Sequence, residues 1–367
     1  MDRKSFSIRR FVMSDVSSVV RLLELVFKRP FSPEWWNWKY RLNPAGFWGE
    51  KGDIWVAESK GEIVGYYAVI PERIQFGSEI ITVAQSVDTA TRPDFRGMRL
   101  FPTLAQKVYS ECRNRYRFIY GFTSEMAFKG FLRLGWKDFR IIEFAKFLNY
   151  DRPLRNFSGN AFVIWSGKAS LKALRTLKYL SPSVLFKKYT GSPVEIQKVD
   201  QFPDEMDEVW EIMRTENEIV LERTSAFLNW RFSKHFGNYQ IYIGQSIQDS
   251  SILGYLVLRK TEIGKIQNAL DIVDLYGLPG EEKLVLNFVD MAIRLAKNEG
   301  LDLVHCRIPP WHRYVTILSK RGFISLNRLF RWAKIYQPRV IFYQFSKEGI
   351  IPKIQQWFYT LADTDYA

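Results

Sequence analysis

No stretch of the sequence approaches the roughly 18–20 consecutive apolar residues that a membrane-spanning helix needs. The opening MDRKSFSIRRF also lacks the apolar core of a secretory signal. Cysteine is scarce: Cys112 and Cys306 lie far apart, each inside an apolar run, which gives no disulfide framework. Three histidines (His235, His305 and His312) show no metal-ligand spacing, so a zinc module is not indicated and each is expected to be an ordinary core or surface residue. Low-complexity tracts are absent. These absences lead us to expect a folded, cytoplasmic protein that needs neither metal nor disulfide.

What is present is aromatic and basic. The 367 residues include 28 Phe, 18 Tyr and 12 Trp, enough for well-filled cores, and the length suits two domains of ordinary size. Net charge is +14, unevenly spread. Between residues 151 and 192 stand eight Lys or Arg against the single acid Asp151, a surplus of seven and half the total. Such a bias suits an anionic partner, whether a phosphorylated cofactor, RNA or an acidic membrane face; a solvated basic surface is the plainer alternative. Within it, LKALRTLKYL (171–180) places Leu171, Leu174, Leu177 and Leu180 near one helical face. That helix would either pack its leucines on the rest of the protein or lie on an anionic membrane.

The chain repeats itself. WWNWKY (35–40) and LNWRF (228–232) share Asn-Trp-basic-aromatic, aligned on Asn37-Trp38 and Asn229-Trp230. IVGYYAV (63–69) matches ILGYLVL (252–258), and FLRLGW (131–136) matches LSKRGF (318–323), in the same order and at slowly drifting offsets. Such ordered recurrence indicates a duplicated domain. Recurrence of the Asn-Trp motif in both copies favours a packing role over an aromatic platform for a sugar or base.

Each copy predicts the same elements. A short strand (6–11; 194–199) leads to an amphipathic helix, marked by Val19, Leu22, Leu23 and Val26 in one copy and Met206, Val209, Trp210 and Met213 in the other. The Asn-Trp helix, a strand pair, a further strand running into a turn, a long helix, another strand, a short helix and a closing strand follow. The fold class is α/β, a mixed sheet faced by helices, in two tandem units. The boundaries read as 1–150, a basic linker 151–192, a second unit 193–335 and a C-terminal segment 336–367.

The turn after the fourth strand, RPDFRGMRLF (92–101), has the makings of an anion site. It feeds a helix whose apolar stripe is Leu100, Phe101, Leu104, Ala105, Val108, Tyr109 and Cys112, with Pro102 in the first turn. Free amides and the positive end of the helix dipole would converge there, with Arg96 and Arg99 adding charge. A plain strand-to-helix turn is the alternative.

SVDTATRPDFRGMRLFPTLAQKV resembles the acyl-CoA pyrophosphate loop of the GCN5-related N-acetyltransferase superfamily, and YGFTSEMAFKGFLRLGWKDF resembles its second hallmark. The resemblance covers about residues 6–145 and, more faintly, 194–330. The ending WFYTLADTDYA resembles double-domain members associated with surface-polysaccharide biosynthesis. It implies two tandem acyl-CoA N-acyltransferase folds, with acetyl-CoA or another acyl-CoA as donor. Thr89, Ala90 and Thr91 would line the pantetheine arm, and Arg96, Gly97, Met98, Arg99, Leu100 and Phe101 would hold the phosphates. The acceptor would be a small amine, such as an amino sugar of a polysaccharide precursor. The resemblance also leaves room for a Fem-type transferase that uses aminoacyl-tRNA, for a catalytically silent binding protein, and for a dimer.

Three positions depart from the family pattern. Arg99 and Phe101 stand where the loop has small residues, and a Cβ at Arg99 would hinder a positive φ. Phe131 stands where many members carry a tyrosine that protonates the thiolate. The second copy offers YGLPGEEKLVLNFV, whose Glu281 and Glu282 would repel a phosphate, so the donor is expected in the first half. For a catalytic base the sequence offers Asp88, on the strand entering the loop, and Glu125, at the start of the short helix. Each has a structural reading too: Asp88 as a hydrogen-bond acceptor, Glu125 as a first-turn acid beside a capping Thr123 or Ser124.

Overall fold

The computed structural model describes residues 5–46, 53–149, 191–233, 237–263, 266–327, 339–345 and 356–364. The leucine-lysine segment 171–180, nearly all of the basic linker, and His235 lie outside the described residues.

The first half runs β1 (Ser7–Arg10), α1 (Val16–Phe27), α2 (Pro33–Tyr40), β2 (Asp53–Ser59), β3 (Glu62–Phe76), β4 (Glu79–Thr91), α3 (Leu100–Cys112), β5 (Phe118–Phe122), α4 (Glu125–Arg133), β6 (Lys137–Arg140) and β7 (Glu143–Phe147). The second runs β8 (Val194–Val199), α5 (Met206–Glu216), β9 (Ile219–Leu221), α6 (Ser225–Leu228), β10 (Tyr239–Ser246), β11 (Ile252–Ile263), β12 (Ile266–Gly277), α7 (Glu282–Asn298), β13 (Leu303–Arg307), α8 (Tyr314–Lys320) and β14 (Ile324–Ser325). Two strands close the chain, β15 (Arg339–Gln344) and β16 (Trp357–Phe358).

The helices form where their periodicity requires. In α1 the residues Val19, Val20, Leu22 and Leu23 are buried, and Lys28 ends it in the left-handed conformation, its N–H donating to Glu24 O. Ser32 caps α2 by accepting from Trp35 N at 3.1 Å, with Pro33 in the first turn. In α3 the expected stripe is buried, with Phe101 only half so, and Thr103, Gln106, Lys107 and Ser110 face solvent. Each fully buried Leu or Val there contributes about 1.5–3 kcal/mol. Of the second-copy helix residues, Met206, Val209, Trp210 and Met213 are all buried.

Two mixed sheets result, and among the described residues their orders correspond strand for strand. The first is β1-β2-β3-β4-β5-β15-β6, with β9 and β16 added beside β3; the second is β8-β10-β11-β12-β13-β7-β14. In both, the only parallel pair on this path joins the fourth and fifth strands, β4 to β5 and β12 to β13. Helix α3 covers one face of the first sheet, over Trp55, Tyr67, Val69 and Ala84; α1 and α2 cover the other, over Ile54, Val56, Tyr66 and Ala68.

One strand of each sheet comes from the other half. Strand β7, which ends the first half, inserts between β13 and β14. Strand β15, from the far end of the chain, inserts between β5 and β6, pairing Val340 with both Phe122 and Phe139. Neither sheet is therefore completed by a contiguous stretch of chain.

The two Asn-Trp motifs meet at the centre. Trp38 and Trp230 stack at 5.2 Å and 19°. Each indole donates to the other's backbone carbonyl, Trp38 Nε1 to Trp230 O at 2.8 Å and Trp230 Nε1 to Trp38 O at 3.0 Å. They are buried core residues joining the two halves.

Candidate functional site

Strands β4 and β5 run together only as far as Ser86, opposite Gly121. Beyond that rung β4 continues to Thr91 with no β5 partner among the described residues, and the two strands part. Glycine suits the close approach at the apex, since a Cβ on Gly121 would lie 3.1 Å from Ser86 O. Where they part, β4 carries a bulge: Tyr66 pairs Ala90 while Ala68 pairs Val87, so Asp88 and Thr89 together oppose Tyr67. Asp88 takes φ 48° to make it.

The bulge brings Asp88 to the α2 face. Its Oδ2 accepts from Lys39 Nζ at 2.6 Å and from Tyr40 Oη at 2.7 Å, and all three groups are buried. In the second copy Asp274 follows Val273 as Asp88 follows Val87, and it is held alike: Arg223 Nε donates at 2.7 Å and Tyr255 Oη at 3.0 Å. The strand opening there is filled by the chain itself. Tyr314 and Arg313 both donate to Gly277 O, at 3.0 and 2.7 Å, and Gly277 N donates back to Tyr314 Oη at 2.9 Å.

Thr89, Ala90 and Thr91 lie on the free stretch of β4, with Ala90 and Thr91 paired on their other side to Tyr66 and Gly65 of β3. Thr89 Oγ1 is buried and has no hydrogen-bond partner among the described residues. The loop follows at once. Gly97 takes φ 81°, and Arg99 takes φ 61°, ψ 16°, so the arginine adopts the left-handed conformation that its Cβ was expected to hinder. Holding it there costs about 1–2 kcal/mol. Among the described residues, the amides of Gly97, Arg99, Leu100 and Phe101 donate to no backbone carbonyl, while Arg96 and Met98 close turns onto Pro93 and Phe95. Arg92 is bound by Glu62 and Asp94, whereas Arg96 and Arg99 are exposed and make no ion pair among the described residues. Four open amides at a helix start, flanked by two exposed guanidiniums, make this loop a candidate anion cradle.

Phe101 turns inward instead of facing the cradle, stacking on Tyr67 at 6.2 Å and meeting Phe131 edge-on at 5.1 Å. Phe131 is buried against Trp136 as well, a core side chain with no proton to give. Glu125 is exposed in the first turn of α4, where Ser124 is the cap, accepting from Ala127 N at 3.4 Å. It is not brought together with Asp88 in any contact among the described residues.

In the second copy, one loop acid, Glu281, binds the chain's own linker. Glu281 Oε2 accepts from Ser192 N at 2.8 Å and Oε1 from Ser192 Oγ at 2.7 Å.

Sequence reasoning missed three buried polar groups. A hydroxyl set, Ser86, Tyr67 and Tyr109, lies beside the apex. Glu72 of β3 lines a cavity of about 20 Å³ between the halves, with Lys39, Gln85, Arg231 and Asp363, and burial pushes its pKa up to about 8 against Arg231 and Arg223. His305, expected to be ordinary, lies 2.9 Å from Asp271 and 3.6 Å from Glu143 of the exchanged strand. Burial lowers its pKa, but Asp271 and Glu143 outweigh this and raise it to about 9. No signal in the sequence marks these groups, because each is assembled across strands.

Residues 7–138 match the family model of the acetyltransferase (GNAT) domain. Among solved structures, the chain is similar to a GCN5-related N-acetyltransferase from Anabaena variabilis, at 10% identity and TM-score 0.61, covering 93% of this chain and 73% of that one. It is also similar to a conserved protein of unknown function from Enterococcus faecalis, described as a probable N-acyltransferase, at 10% identity and TM-score 0.59 over 94% and 73%. A third, a GCN5-related N-acetyltransferase from Kribbella flavida, shows 12% identity and TM-score 0.57 over 93% and 71%. At these identities the structures speak for the fold. No curated protein matches the sequence. The family model thus identifies residues 7–138 as a GNAT domain, and the solved structures share the fold of nearly the whole chain.

Proposed function

We propose that the chain is an acyl-CoA-dependent N-acyltransferase that binds its donor in the first half and uses the second as scaffold and wall of the acceptor cleft. The observation that carries this reading is the parting of β4 from β5 at Ser86–Gly121, which leads directly into a loop of open amides and available arginines. Arg96 through Phe101 would hold the pyrophosphate, and the free edge of Thr89, Ala90 and Thr91 the pantetheine. When bound, acyl-CoA supplies the activated thioester. The chain's own part is to orient it, to hydrogen-bond the developing oxyanion from the β4 backbone near Ala90, and to take up the amine's proton.

In this reading Asp88, on the bulge and hydrogen-bonded by Lys39 and Tyr40, takes that proton. Glu125 serves the helix start. The second half offers no equivalent donor site, since Glu281 engages Ser192 and Tyr314 fills the opening. The acceptor is a small amine, and amino sugars of polysaccharide precursors head the compounds to test.

The test is thermal unfolding with and without acetyl-CoA, repeated on an Arg96→Ala, Arg99→Ala double variant. A ligand at ~100 times its dissociation constant stabilises by roughly 2.7 kcal/mol. We expect a shift in the parent that the double variant loses. No shift at millimolar acetyl-CoA sinks the reading and sends the search to aminoacyl-tRNA, whose binding would weaken steeply with salt.

A further inference from the structure

Around the cavity between the halves, four buried carboxyl groups meet three buried cations. Asp88 is held by Lys39. Asp274 and Asp363 share Arg223, at 2.7 and 3.0 Å. Arg231 donates to the carbonyls of Ala362 and Thr364 and makes no ion pair among the described residues. Glu72 is the fourth acid, and among the described residues it has no ion pair either. Glu222 stands outside this count, balanced by Arg73 at 2.9 Å. The charges therefore leave one acid in excess. An unbalanced charge shut away from water is costly, so the set is neutral when it holds one proton.

Glu72 is the place for that proton. Its Oε2 is buried without a hydrogen-bond partner among the described residues, as is Oδ1 of Asp363, and both residues line the cavity. The volume of about 20 Å³ suits one water, which needs roughly 10–15 Å³ and at least two polar partners. Protonated Glu72 can donate to such a water, and the water to Asp363. Burial raises Glu72 to about 8; Arg231 and Arg223 oppose the shift, while Glu222 and Asp363 add to it. Tyr40 and Tyr255, beside Asp88 and Asp274, are held well above the ordinary range by burial and keep their protons. Lys39 connects this carboxyl to the bulge. Its Nζ holds Asp88 Oδ2 at 2.6 Å, and the same residue lines the cavity with Glu72. While Glu72 is neutral, Asp88 stays ionised to balance Lys39 and is a poor acceptor. Once Glu72 has lost its proton to solvent, the set carries one negative charge in excess. A proton arriving at Asp88 then restores neutrality, and Lys39 balances Glu72 instead.

We propose that Asp88 and Glu72 share a single proton through Lys39, so that ionisation of Glu72 turns Asp88 into a proton acceptor. This rests on the reading above, in which Asp88 takes up the amine's proton during acyl transfer. Asp88 is the catalytic residue there, and Glu72 and Lys39 are positioning residues. As the C–N bond forms and the C–S bond breaks, the proton on nitrogen passes to an Asp88 carboxylate oxygen and the sulfur leaves with its electron pair. Asp88 returns the proton to solvent before the next turnover. Transfer accordingly speeds up as pH climbs through the window near 8 in which Glu72 ionises.

The experiment is an infrared titration of the ligand-free full chain, following the carbonyl stretch that only a protonated carboxyl shows. It compares the parent with Glu72→Gln, Asp88→Asn and Lys39→Met. These substitutions nearly conserve volume, and asparagine tolerates the left-handed conformation at position 88. Relative to Glu72→Gln, the parent should show one protonated carboxyl at pH 7, titrating near 8. In Asp88→Asn the cation is released to Glu72, and this signal should move down by about 1–3 pH units. In Lys39→Met the two acids lose the cation between them, and a second protonated carboxyl should appear at pH 7. A parent without the signal at pH 7 would overturn the proposal. So would an unchanged signal in either folded charge variant, which would make the proton of Glu72 a matter of its own burial alone. The two charge variants move the signal in opposite directions, so either one decides if the other does not fold. No ligand is added, so these outcomes bear on the shared proton alone. The acyl-CoA reading fails or stands separately, on the unfolding test above.

Discussion

Trp38 and Trp230, equivalent residues of the two copies, stack on each other and exchange indole-to-carbonyl hydrogen bonds across the junction of the halves. The recurring Asn-Trp motif is thus where the duplication closes on itself. Replacing either tryptophan by alanine removes a buried ring and takes from the partner's backbone carbonyl the indole N–H it accepts. We expect each single variant to lose about 3–5 kcal/mol in denaturant unfolding, and the double variant to lose clearly less than the sum. Simple additivity would mean that the pair is not an energetic unit.

The exchanged strands make the halves interdependent. Residues 1–150 alone lack β15, so β5 keeps an unpaired edge and β6 loses its only partner among the described residues. Expressed alone, this fragment should be insoluble or self-associated, and co-expression with the remainder should restore a 1:1 complex. A soluble, cooperatively unfolding monomer of the fragment would contradict this.

Arg99 holds a conformation that glycine adopts freely. Arg99→Gly should raise stability in denaturant by up to about 1 kcal/mol, net of the extra freedom of the unfolded chain. It should also weaken acyl-CoA binding through the lost guanidinium. Calorimetry and unfolding on the one variant separate the two effects.

Two buried groups give opposite variants in different pH windows. Glu72, raised to about 8, ionises in the unfolded chain near the usual 4.5 but stays protonated in the fold, so its contribution falls as pH rises from 4.5 to 8. Glu72→Gln should therefore be more stable than the parent above pH 8, by on the order of a few kcal/mol.

His305 also loses its contribution as pH rises, but there the charged form is the one the fold favours. Its pKa rises from 6.5 to about 9, so its ion cluster stabilises fully below 6.5 and is lost as pH climbs through 9. His305→Gln should be less stable at pH 6, by on the order of 3 kcal/mol, and should lose the decline between pH 6.5 and 9. Unfolding curves from pH 4 to 10 check both variants.

Much of the architecture was readable from the residues because its causes are local. Helical spacing marked Met206, Val209, Trp210 and Met213, and all four are buried. Ordered recurrence of three motifs marked the duplication that the matched sheet orders display. The strand exchange was not readable, since alternation along β7 or β15 says that a strand forms and nothing about which sheet receives it. The loop was legible as a strand-to-helix turn rich in arginine, but the conformation of Arg99 went against its own propensity. Asp88 could be named, yet its engagement by Lys39, 49 positions away, depends on a bulge that no local pattern announces. Ser86 and Tyr67 carried no signal, being two ordinary strand residues whose hydroxyls meet only across the β3–β4 pair.

The insertion of β15 also sets a timetable for the nascent chain. The cleft-forming strands β4 and β5 are complete by residue 122, yet the strand that backs β5 arrives only at residues 339–344. A ribosome must therefore deliver more than 200 further residues before the first sheet can close, and until then β5 presents its bare edge to the cell.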